Sequence, residues 1–87
     1  MHYTTPHHLK AGDLVAFHGA VFEIVNNAQE SNSHRPQAAH LVTAHGPSAC
    51  AWAVGRWVSG NSVPGYFGPG IDWTFQGNHR TLVAVIN

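Results

Sequence analysis

The chain has 87 residues, of which only 9% are charged and 44% hydrophobic, and its four Lys and Arg balance four Asp and Glu. That length holds one domain with a compact core and leaves no room for a second lobe. The cations Lys10, Arg35, Arg56 and Arg80 are scattered, which is not the basic stripe that neutralises phosphates, so nucleic acid is not an expected partner.

Residues 1–10 carry Pro6 and three His without periodicity, and predict an irregular N-terminal arm ahead of a single domain spanning 11–87. Gly12-Asp13 marks a turn. Residues 14–18 then alternate, with Val15 and Phe17 opposite Leu14, Ala16 and His18, and residues 21–25 resume with Phe22 and Ile24 sharing a buried face. Gly19-Ala20 between these runs predicts a tight type II′ hairpin, because Gly takes the positive φ of the first central position.

Residues 26–37 are polar, include Arg35-Pro36 and lack an apolar repeat, which predicts a long exposed loop, either mobile or facing a partner. Residues 38–44 predict a third strand around Leu41 and Val42, closed by Gly46-Pro47. Residues 49–59 predict a fourth, long and bulged. It sets Ala49, Ala51, Ala53, Gly55 and Trp57 on one face against Cys50, Trp52, Val54, Arg56 and Val58 on the other. After a Gly/Pro loop over 60–70, residues 72–76 and 81–86 predict two more strands about a Gly77-Asn78 turn.

Six short strands with tight turns, and edges that must be hidden, predict an all-β fold: a small five- to six-stranded antiparallel barrel or meander. The opening Lys10-Ala11-Gly12-Asp13-Leu14-Val15, followed by Gly19 and Phe22-Glu23-Ile24, resembles the start of SH3-like barrels, in which Gly-Asp begins the first strand. The whole chain also resembles small bacteriophage and prophage proteins, through Phe17-His18-Gly19-Ala20-Val21-Phe22-Glu23, Pro64-Gly65-Tyr66-Phe67 and Trp73-Thr74-Phe75-Gln76-Gly77-Asn78. That resemblance implies an accessory product acting by binding, as inhibitors of host defence such as anti-CRISPRs do, and brings no catalytic residues with it.

The eight His suggest metal binding, but His7 and His8 are adjacent and no H-E-x-x-H or Cys/His grouping is present. The single Cys50 excludes an internal disulfide and reads as a small buried hydrophobe on the face of Trp52 and Val54. No phosphate-binding Gly loop leads into a helix. The expectation is therefore a non-enzymatic binding protein with no cofactor.

Tyr66 and Phe67, held between Gly65 and Gly68-Pro69-Gly70, are the leading contact residues, with folding back as a plug for an open barrel end as the alternative. Arg56 and Trp57 beside that loop, Arg35, and the polar group Asn78, His79 and Arg80 complete the protein-binding set. The expected partner is a host protein complex, engaged in the cytoplasm of the bacterial host. The N-terminus lacks a signal-peptide pattern, and no apolar run reaches the ~20 residues that span a bilayer. Near-zero net charge also suits a homo-oligomer, and a virion structural ring and a small ligand- or nucleic-acid-binding barrel are the alternative functions.

Overall fold

The computed structural model describes residues 1–30 and 50–87. Its strands are β1 (His2–Thr4), β2 (Leu14–Phe17), β3 (Ala20–Ile24), β4 (Gln29–Glu30), β5 (Cys50–Gly60), β6 (Trp73–Asn78) and β7 (Val83–Val85), with one 3-10 turn at Pro6–His8. All pairings are antiparallel and form one curled sheet, a half-barrel of the small all-β kind that the strand pattern predicts. The path runs β1-β7-β2-β3-β5, with β4 continuing the β3 side of β5 and β6 on its other side. The expected strand over 38–44 and the contact residue Arg35 lie outside the described residues.

The β2–β3 hairpin forms, but its central pair is His18-Gly19. Phe17 pairs with Ala20, and both His18 (φ 49) and Gly19 (φ 76) take positive φ. That is the type I′ geometry, whose twist matches the flanking strands, so the expected type II′ turn at Gly19-Ala20 is displaced by one residue. Asn61 fastens this turn to the end of β5: its backbone N–H donates to Gly19 O at 3.0 Å and its Nδ2 to His18 O at 3.3 Å.

The core comprises Leu9, Val15, Ala20, Phe22, Ile24, Ala53, Phe67, Phe75, Val83 and Val85. The inner face of β5 is small, through Ala51, Ala53 and Gly55, because Phe22 and Phe75 fill the space above it. Where β3 ends, Asn26 stands in for a strand neighbour, its Oδ1 accepting the Val54 N–H at 2.7 Å.

Two further sequence expectations change. The first ten residues are not an irregular arm: β1 pairs with β7, Pro6 is buried at the start of the 3-10 turn, and Leu9 is fully enclosed. A three-residue strand is too short to show periodicity, and one Leu after a Pro-initiated turn suffices to anchor it. The turn expected at Gly77-Asn78 falls instead at His79-Arg80. Asn78 O accepts from Thr81 N at 3.1 Å and Asn78 Oδ1 from Arg80 N at 2.8 Å, an Asx-type turn. Gly77 stays inside β6 because the Thr81 side chain occupies the place of a Cβ. β6 and β7 do not pair as a hairpin, since β7 crosses to join β1 and β2.

Candidate functional site

The Gly/Pro loop is a folded piece of structure. Val63 and Phe67 exchange backbone hydrogen bonds of 2.8 and 3.1 Å, and Tyr66 N donates to Val63 O at 2.9 Å. Gly65 (φ +83) makes the reversal that this narrow loop needs. Alternation across it sends the two neighbouring aromatics in opposite directions. Phe67 is 5% exposed and meets Phe17, Phe22 and Trp73 at centroid distances of 6.1, 5.5 and 5.8 Å, whereas Tyr66 is 63% exposed. Of the expected contact pair, Tyr66 is displayed and Phe67 is a core plug.

Tyr66 stands at the rim of a depression of about 360 Å³ lined by Phe17, His18, Val63, Tyr66, Phe67 and Trp73. Trp73 stacks on Phe17 at 5.6 Å with ring planes 27° apart, and His18 meets Phe17 edge-on at 4.3 Å. The I′ turn carries His18 out over this aromatic floor. Phe17, His18 and Trp73 are also one wall of a second, longer groove of about 600 Å³, which continues along β6 towards Tyr3, Leu82 and Ala84. Among the described residues, no Asp, Glu, Lys or Arg lines either depression. The combined surface is aromatic and partly concave, which suits apolar contact and hydrogen bonding.

The other expected contacts are not gathered here. Trp57 is half-buried against the core, and its Nε1 donates to Asn61 O at 2.8 Å; its place on the small-residue pleat of β5 turns it inward. Arg56 is exposed on the opposite pleat, in register with Glu23 of β3. His79 and Arg80 form the β6–β7 turn, where His79 stacks on His7 with centroids 3.9 Å apart. Neither they nor Arg56 line the two depressions.

His18, Phe17 and Trp73 are not among the contact residues that the sequence suggests. The available signal was His18-Gly19 itself, a pair that can serve as an I′ turn and would place an imidazole at a hairpin tip. Among the described residues no three His, Cys, Asp or Glu side chains come together as a metal site, and no helix is long and apolar enough to cross a membrane. Cys50 is buried. Comparison with protein-family models, curated proteins and solved structures returns no match to this chain.

Proposed function

We propose that this protein is a non-enzymatic binding module that engages a protein partner through the aromatic surface of Phe17, His18, Val63, Tyr66 and Trp73. The observation that carries this reading is Tyr66, held 63% exposed on a hydrogen-bonded loop whose neighbouring Phe67 is locked in the core. A displayed aromatic on a rigid support binds at small entropic cost, and such residues dominate interface energetics. Val63 (40% exposed), which lines the same depression, adds apolar surface beside it. The narrower identity, a bacteriophage or prophage accessory protein that engages a host complex as defence inhibitors do, rests on the resemblance carried by residues 17–23, 64–67 and 73–78.

The test is recovery of partners from bacterial lysate by the tagged chain, wild type against Tyr66→Ala/Val63→Ser. A protein complex retained in stoichiometric amount by the wild type and lost by the variant is the expected result. Equal recovery by both would move the interface elsewhere. Recovery of nothing, with a native mass showing a closed ring of the chain itself, would replace this reading with a virion structural one.

A further inference from the structure

The longer groove has an unusual boundary: Trp73, Thr74, Phe75 and Gln76, four consecutive residues of one strand, all line it. Side chains of a strand alternate between faces, so four in succession border one groove only if it runs along the strand's edge. The main chain of β6 is therefore part of its wall.

The register fixes which main-chain groups face away from β5. Val54 donates its N–H to Asn26 Oδ1 and accepts from Val25 N with its carbonyl, so both groups point away from β6. Val54 is opposite Thr74, which makes this a non-hydrogen-bonded pair and directs the Thr74 N–H and C=O outward. Gln76, two residues on, has the same orientation, as does Asn78. The chain satisfies Asn78 itself, its N–H donating to Thr81 Oγ1 at 3.2 Å and its carbonyl accepting from Thr81 N. Among the described residues, no hydrogen bond reaches the outward main-chain groups of Thr74 and Gln76.

We propose that this groove accepts an extended, uncharged peptide segment of a protein partner, which adds to the edge of β6 as a further strand. The proposal rests on the protein-binding reading and names its mode. Main-chain bonds to Thr74 and Gln76 supply the pairing, and alternate side chains of the incoming segment pack on Phe17 and Trp73. An incoming strand lies about 4.8 Å from β6 and spans about 13 Å over four residues. Tyr3 and Leu82, 63% and 69% exposed, stand on the far wall and offer apolar contact to the segment's other face. Because no Asp, Glu, Lys or Arg among the described residues lines the groove, a segment carrying such charges would lose hydration without a matching ion pair.

The experiment is selection of a random dodecapeptide library on the intact chain, followed by amide exchange and affinity measurement with the enriched peptides. Enriched peptides should lack Asp, Glu, Lys and Arg at their central positions and slow exchange of the Thr74 and Gln76 amides at least tenfold. Gln76→Pro removes an outward N–H that the β5 ladder does not use, a position where an edge strand tolerates Pro; it should weaken binding at least tenfold. Gln76→Ala, which keeps the N–H, should bind within twofold of wild type. No enrichment, or protection confined to other amides, overturns the proposal, and the exchange arm needs no variant to fold. Loss of the lysate partner with Tyr66→Ala/Val63→Ser but full retention with Gln76→Pro would discard strand addition while leaving the protein-binding reading in place.

Discussion

Phe75 lies across Gly55 so closely that a Cβ built on that glycine would stand 2.6 Å from Cε2 of the ring. The ring cannot retreat, because Phe17 and Phe22 hold it edge-on at 5.4 and 5.3 Å. Gly55→Ala is therefore expected to cost about 1–3 kcal/mol by overpacking, measured by urea denaturation. Gly55→Ala/Phe75→Leu should lose less than the two single changes summed, since the smaller side chain clears the added methyl.

Tyr66 and Phe67 separate binding from folding within one dipeptide. Phe67→Ala should cost about 3–5 kcal/mol, as for other buried Phe, and would disturb every aromatic that its ring touches. Tyr66→Ala, whose side chain is mostly in solvent, should leave stability within about 0.5 kcal/mol and weaken partner binding. Thermal unfolding of the two variants beside a pull-down checks both. A cooperative unfolding loss for Tyr66→Ala would make it a structural residue and remove it from the interface.

The strands were legible where alternation was long enough to count. Val15 and Phe17, then Phe22 and Ile24, point as their period demands, and the small face of β5 is where Ala51, Ala53 and Gly55 place it. Errors collect at turns and short elements. His18-Gly19 and Gly19-Ala20 are one residue apart, and only the pairing of Phe17 with Ala20 decides between them. Gly77 reads as the turn itself, but its reason lies four residues on, across the turn, where the Thr81 side chain takes the space of a Cβ. The site was half legible. Tyr66 is a local feature of its loop, whereas Phe17, His18 and Trp73 meet only because the sheet curls.

Asn26 gives a test of the strand junction. Its Oδ1 is the acceptor for the part-buried Val54 N–H, and removing it strands that donor between β3 and β4. Asn26→Ala should destabilise by about 1–2 kcal/mol and speed exchange of the Val54 amide. Asn26→Asp keeps an acceptor there and loses only the 2.8 Å bond from Nδ2 to Asn27 O, so it should lie between wild type and Asn26→Ala. If Asn26→Ala leaves Val54 exchange unchanged, the side chain is not the bridge between these strands.

His18 lets the turn and the surface be tested apart. Its φ of 49 lies in the left-handed region, which Asn adopts readily and a β-branched residue does not. His18→Val should therefore destabilise the hairpin by about 1–2 kcal/mol. His18→Asn should hold stability within about 0.5 kcal/mol, its turn preference offsetting the lost edge contact with Phe17. Yet Asn brings no ring to the wall shared by the two depressions, so its partner affinity should fall about tenfold, or about 1.4 kcal/mol. Calorimetric titration of the isolated partner against wild type and His18→Asn, matched for thermal stability, reads that difference. Equal affinities would confine His18 to turn formation and reduce the binding surface to Phe17, Val63, Tyr66 and Trp73.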